Sequence, residues 1–503
     1  MARQDASDLR PPERKIAIIG GGIAGLCAGV YARKSGYAVE ILEQHQSAGG
    51  LATNWRRGDY TFETCLHWLL GSNPLGDLHA EWKEVCDIGA LRFVDHGEFV
   101  RIEDEHGATL RIYSDADRLE AELCHVAPED ADEIHRFVAA IRQLGDIPLP
   151  PIGEPWLTRL AGMFKMLPDL PLLWRLSHLS VDDYGQHFRH PLLQAFVRGG
   201  FTGNLSILAL ILSLGWMEQK NAGYPIGGSQ ALIRLILDEL TRLGGRIRFE
   251  TKVTRIRVEN DTATGVELED GTTIEADWVI SAADGHATLH DMLGGKYTDA
   301  AYDKAFASYE PFPSYLQVSL GVARDLAEMP GYLTILLDKP LEVDPQTRLR
   351  TLSFRIFNYD PTFAPPGKTA VTCFLPTRNV DWWTEYRRED RHAYEVEKQR
   401  VAAAVIAVLD RRLPGIRADI ETLDVSSPAS VIRYTGNWKG SMEGWVMTPE
   451  TGLGTLPQTL PGLERFAMIG HWVQPGGGLP SGLLTARAAV QAICRQDRVK
   501  MIP

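Results

Sequence analysis

Residues Lys15–Glu43 constrain the fold more than any other stretch, because an apolar run, a glycine-rich turn, a helical segment and a terminal acid follow in the order of a dinucleotide-binding β-α-β unit. KIAIIG, Lys15–Gly20, is a short β-branched run of the kind buried in a parallel sheet. Gly20, Gly22 and Gly25 supply the GxGxxG spacing. The first permits the tight turn, the second lets backbone approach a pyrophosphate, and the third lets the helix pack closely on the strand. Ile23 and Ala24 lie at the helix start, whose N–H groups and positive dipole end would face the phosphates. The helix is expected to end near Ser35-Gly36, with Gly36 just past its terminus. A second strand, Ala38–Leu42, then delivers Glu43, about twenty positions after Gly20, where a carboxylate can accept from both hydroxyls of an adenosine ribose.

The next residues choose between NAD and FAD. After Glu43 the chain reads QHQSAGGLATNW, and this SxGG segment resembles the flavoprotein extension of the fingerprint. Gly49, Gly50 and the following Leu51 would run along the pyrophosphate and ribitol, so FAD is the expected cofactor.

At 503 residues, about two or three domains are expected. A net charge of −13 argues against nucleic acid as a partner. The six cysteines show neither a CxxC pair nor ligand spacing, so no metal site and no disulfide framework is expected and a reducing cytoplasm fits. Residues 1–13 read as a polar, disordered leader. The longest apolar run, Leu205–Met217, is shorter than the roughly 18–20 residues that span a bilayer, which leaves peripheral membrane contact open.

Four segments are similar to the phytoene desaturase, carotenoid isomerase and retinol saturase group of FAD-dependent oxidoreductases, relatives of the amine oxidases. They are Ile16–Gly50, YTFETCLHWLLG (Tyr60–Gly71), Tyr224–Ile256 and MIGHWVQPGGGLPSGLLTARAAVQAI (Met468–Ile493). In the third, Leu232, Leu235, Ile236, Leu240 and Leu243 recur at helical spacing. The resemblance implies that a following strand ends near Val253, whose backbone would meet the adenine, and that Glu269–Asp284 forms a hairpin. In the fourth, it implies that Gly470-His471, Gly476, Gly477, Gly478 and Leu479 approach ribitol and isoalloxazine, with a helix from about Ser481. His471 stands where many such proteins carry an aspartate.

These pieces imply an α/β architecture: a discontinuous Rossmann-like FAD-binding domain of 14–100, 224–298 and 420–503, with 101–223 and 299–419 forming an α+β substrate domain. The block 101–223 reads as mostly helical, whereas 299–419 carries strands such as SYLQVSLGVA and TLSFRIFNY and a helix near 390–412. Trp156–Ser180 reads either as a membrane-contact helix pair or as core-facing helices over the substrate cavity.

The flavin would carry the difficult step, accepting a hydride at N5. Cys65, His67 and Tyr224 are the candidate catalytic residues. Cys65 could touch the flavin or be a packing residue; His67 could be a proton donor, a flavin contact or a core histidine. Trp438, Lys439 and Glu443 fall in segments that could roof the site, and Arg56-Arg57 reads as an exposed pair.

The leading functional expectation is dehydrogenation of a C–C bond in a small apolar molecule, isoprenoid or carotenoid-like, with oxygen, a quinone or a protein carrier as electron acceptor. No second nucleotide fingerprint is present to serve NAD(P)H. Redox-neutral isomerisation or saturation with reduced FAD is a second reading. Amine oxidase-type C–N oxidation is a third, for which Trp68, Trp438 and Trp472 would supply an aromatic cage. A non-catalytic prenyl-lipid escort is the alternative of another class.

Overall fold

The computed structural model describes residues 14–145, 147, 167–199, 202–452 and 454–503. Lys15–Ile19 is the middle strand of a five-stranded sheet in the order Arg246–Arg248, Ala38–Leu42, Lys15–Ile19, Trp278–Ser281, Phe466–Met468. Every neighbouring pair is parallel. Such a sheet needs cover on both faces. Alternation along the strands provides for it: Ile16, Ile18, Ile41 and Ile280 join a core with the helices Ile23–Lys34, Gly228–Arg242 and Gly478–Asp497. Ile19, Leu42 and Val279 point the other way, into a core shared with the antiparallel ribbon Val253–Glu259, Thr262–Leu268, Thr273–Glu275.

The first helix ends as expected, at Ser35 with Gly36 left-handed at φ +88°. Three local expectations are corrected. The strand after Gly244-Gly245 stops at Arg248, and Val253 instead opens the next strand, paired with Leu268. Thr273–Glu275 and Trp278–Ser281 do not form a hairpin, because the first completes the ribbon and the second enters the parallel sheet. The last helix begins at Gly478, ahead of Ser481.

A second, seven-stranded sheet runs Ile420–Ser426, Ser314–Val322, Thr369–Thr377, Thr347–Ile356, Tyr332–Asp344, Glu98–Asp104, Thr109–Tyr113. It includes the two expected strands near 315 and 351, and the helix Arg391–Arg412 packs on it through Val401, Val405 and Leu409. Ile420–Ser426 therefore leaves the FAD-binding part to which it was assigned, because its ladder partner is Ser314–Val322. The block 101–223 likewise opens with sheet residues, since Glu98–Asp104 pairs with Thr109–Tyr113 and lies parallel to Tyr332–Asp344.

Beyond that hairpin the block is helical, with Ala116–Val126, Ala131–Leu144, Pro191–Arg198 and Ile207–Glu218 sharing one core. The apolar run near 205–217 is thus a buried helix, and no helix among the described residues is long and apolar enough to cross a membrane. The leader and residues 156–166 of the Trp156–Ser180 segment lie outside the described residues. In the remainder, the helix Leu170–Ser177 buries Leu173 and Leu176 and leaves Trp174 68% exposed.

At Gly25 an added Cβ would lie 2.0 Å from the carbonyl oxygen of Gly20, a backbone atom that cannot yield. Gly25→Ala is expected to cost about 3 kcal/mol, whereas Gly36→Ala, with nothing within 4 Å, costs only the left-handed backbone term of about 1 kcal/mol. Thermal unfolding of the two variants checks the contrast.

Candidate active site

The carboxyl ends of the parallel strands build a cradle. Glu43 is 7% exposed, and its Oε2 accepts the Gly21 N–H at 2.6 Å while Oε1 accepts that of His45 at 2.8 Å. Each oxygen keeps a lone pair for a ribose hydroxyl. The Gly49 N–H donates to the Gly21 carbonyl at 3.0 Å, and Gly22 forms a bridge with Gly49, so the SxGG loop lies along the glycine turn. Ile23–Lys34 starts at Gly22 with no side-chain cap and no acid in its first turn, leaving the N–H groups at Ile23 and Ala24 available to an anion. Leu51 packs against the Tyr315–Phe374 cluster. Val253 shares a core with Leu42, and the nearby Thr251 N–H donates to the Glu43 carbonyl at 2.8 Å.

The C-terminal segment closes on the same place. A Cβ at Gly482 would meet the Ala24 nitrogen at 3.2 Å, and Gly470 is held by its N–H to Thr485 Oγ1 at 2.9 Å. Gly476, Gly477 and Gly478 all have positive φ, a turn that side chains resist. A Cβ on Gly477 would lie 2.3 Å from the Glu443 carbonyl oxygen. Leu479 is buried on the helix that follows. An acid with lone pairs left for two hydroxyls, an uncapped helix start, and backbone turns with no room for side chains at Gly49 and Gly477 suit the adenosine, pyrophosphate and ring portions of FAD.

Titratable groups around this space are held neutral. Burial pushes Glu443 up to about 8, against the lowering effect of a hydrogen bond from the Gly478 N–H. Burial also lowers His471 to about 4; its Nε2 faces Asn437 Oδ1 at 3.4 Å, beside the Trp472 Nε1–H bond to the same oxygen. Burial raises the Cys65 thiol far above its usual range, with Glu443 as the next cause, so Cys65 is no thiolate. Burial, then Arg355, drives His67 well below 6.5. A neutral imidazole there rules out the imidazolium form as proton donor near neutral pH.

Glu63 organises the turn that carries Cys65 and His67. It is fully buried, and its carboxylate accepts N–H groups from Thr64, Cys65, Leu66 and Ser229 and the Ser229 hydroxyl. Gln317 Nε2 donates to its carbonyl at 3.0 Å, and Arg355 Nη2 donates to the Leu66 carbonyl at 2.5 Å. Both donors come from the seven-stranded sheet. Beyond the turn lies a cavity whose lining includes His67, Trp68, Phe99, Tyr332, Arg355 and Tyr359.

Tyr224 does not line that cavity. It is fully buried and donates its hydroxyl to Asp360 Oδ2 at 3.1 Å, while burial raises its pKa, so it is a packing and positioning residue. The proposed tryptophan cage also dissolves. Trp438 and Trp472 pack with Trp445 and Phe306, whereas Trp68 packs on Phe99. Arg57 pairs with Asp424 at 2.9 Å and Arg56 is exposed. Sequence reasoning missed Arg355, although a cation inside the largely apolar stretch LSFRIF at the end of the strand Thr347–Ile356 was its signal.

The model of the family described as flavin containing amine oxidoreductase matches residues 23–494. The chain is 26% identical to the 4,4'-diapophytoene desaturase (4,4'-diapolycopene-forming) of Methylomonas sp., over 97% of this chain and 96% of that one. It is 23% identical to the chloroplastic prolycopene isomerase of Arabidopsis thaliana, over 92% of this chain and 79% of the other. Among solved structures, an oxidoreductase from Methanosarcina mazei shares the fold with a TM-score of 0.60 at 17% identity, covering 95% of this chain and 100% of its own.

Removing Glu63 strands its donors and leaves Arg355 without a nearby negative charge; Glu63→Ala is expected to cost about 3–5 kcal/mol in denaturant unfolding. Glu443 titrates higher in the folded chain than in the unfolded one. From the ordinary carboxylate range up to about 8 the folded state therefore holds the extra proton, and stability falls as pH rises through that window. Melting temperatures measured against pH should show this decline in the wild type and a shallower one in Glu443→Gln.

Proposed function

The chain belongs to the flavin containing amine oxidoreductase family, and from that premise we propose that it dehydrogenates C–C bonds of an apolar polyene or isoprenoid chain. It is an FAD-dependent oxidoreductase. The observation that carries the substrate reading is the cavity beyond the Glu63 turn, where Trp68, Phe99 and Tyr332 face His67 on the same turn that meets the cradle. The desaturase relative supports the same reaction class.

FAD supplies the two-electron acceptor when bound. The residues supply placement. Glu63 fixes Cys65–Trp68 through the backbone, and the aromatic walls exclude water from the reacting carbons. With Cys65 protonated and His67 neutral, the group able to exchange a proton near neutral pH is Glu443; its ionised fraction, which grows as pH approaches about 8, takes up the proton that leaves with the second C–H bond. Relatives that isomerise prolycopene support a second reading, in which the protonated Glu443 carboxyl gives and regains a proton with no net oxidation. Trp438 and Trp472, packed into a core away from Trp68, weigh against amine oxidation. We further propose that oxygen, a quinone or a protein carrier takes the electrons. Leu167 and Trp174, 52% and 68% exposed, support peripheral lipid contact, from which such a substrate would enter.

Anaerobic addition of phytoene or 4,4'-diapophytoene to the holoenzyme should bleach the oxidised flavin spectrum in proportion to the desaturated product. Turnover of a cis-polyene only after dithionite reduction would favour isomerisation. No response in either experiment would overturn the polyene reading.

A further inference from the structure

The cavity beyond the Glu63 turn is not purely apolar. Arg355 projects from the strand Thr347–Ile356 and is 2% exposed. Its Nη2 is used by the Leu66 carbonyl, but its Nη1 is buried with no hydrogen-bond partner among the described residues. No carboxylate among the described residues makes a contact ion pair with it, since the oxygens of Glu63 are taken by Thr64–Leu66 and Ser229. Its other close neighbours are the Phe357 ring, 4.7 Å from the guanidinium carbon, and the Tyr359 side chain. A buried guanidinium with an open donor is costly unless an anion or a strong acceptor completes it.

The other polar groups at this end are suited to an oxygen ligand. Tyr359, whose ring lies 4.5 Å from that of His96, lines the cavity beside Arg355. Burial raises the Tyr359 pKa, which keeps its hydroxyl a donor. Burial lowers His96 to about 4, which keeps its ring uncharged. Asp95 is the one acidic group on the lining, and burial raises its pKa, which lessens its opposition to a second anion. The opposite wall is Trp68, Phe99 and Tyr332.

We propose that Arg355 anchors the substrate by one end, and that the cavity takes the carboxylate end of a polyene or isoprenoid chain whose remainder runs past the Cys65–His67 turn. The inference deepens the polyene reading above and rests on it for the chain, while the head group rests on Arg355 alone. A guanidinium–carboxylate pair with Tyr359 beside it would set which carbons of the chain reach the Cys65–His67 turn, so the anchor would determine regiochemistry as well as affinity.

The test is binding of cis-parinaric acid, a fluorescent polyene carboxylate, and of its methyl ester to the holoenzyme. The acid should bind about tenfold or more tightly than the ester, the scale of one charge-assisted hydrogen bond. Arg355→Gln should reduce that ratio to near one, chiefly by weakening the acid. Tyr359→Phe, which keeps the ring packing, should reduce it in part, and it decides the matter if Arg355→Gln does not fold. Equal affinity of acid and ester for the wild type, or an unchanged ratio in the folded variants, would overturn the anchor. Acid preference in a protein whose flavin no polyene bleaches would uphold the anchor and overturn the desaturase reading instead; bleaching by hydrocarbons without acid preference would do the reverse.

Discussion

A single buried carboxylate, Glu63, links the two halves of this protein. Four backbone N–H groups and one hydroxyl converge on it, three of the N–H groups from its own turn and the other two donors from Ser229 at the start of the helix Gly228–Arg242. A charge so deeply buried is tolerable only when fully solvated by protein dipoles. Satisfying it fixes the path of Thr64–Leu66, and the seven-stranded sheet adds Gln317 and Arg355 to the same turn. The cofactor cradle and the aromatic-lined cavity thus meet at a backbone segment whose shape is set electrostatically.

A second tie works on the other side of the site. Asp284, just beyond the strand Trp278–Ser281, accepts the Trp438 N–H at 2.7 Å and the Ala287 N–H at 2.8 Å. It thereby seats the segment that reaches Glu443 against the sheet, while the three tryptophans Trp438, Trp445 and Trp472 fill the space behind it. Glu443 then abuts Gly477, where any side chain would collide with its carbonyl oxygen. Cys65 lies near enough to Glu443 to feel its charge, and burial holds both uncharged. A space bordered by neutral polar groups suits chemistry on carbon, in which stray charge would favour water and side reactions.

The arrangement also separates two duties. Groups near the glycine turns are neutral and close to the cradle, whereas the incompletely used cation Arg355 sits on the cavity wall among Phe357, Tyr359 and Tyr332. Binding and chemistry can then be tuned by different residues, with Glu63 and Leu66 as the connection between them.

The sequence by itself determined the nucleotide-binding half. Strand, glycine turn, helix and Glu43 are neighbours in the chain, and the physics that makes them a cradle is local: backbone reach, a close helix–strand contact and an uncapped helix start. The flavin extension and the glycine-rich last segment were legible for the same reason. Tertiary structure alone decided which polar groups meet across the site. Tyr224 reads as a site residue and proves to be packing, and Ile420–Ser426 changes sheets. Arg355 looks like an odd charge in a strand until the fold sets it opposite Leu66, almost three hundred positions away. Burial, charge state and unmet hydrogen-bond capacity depend on every neighbour in space, and a linear pattern carries no record of neighbours so distant in the chain.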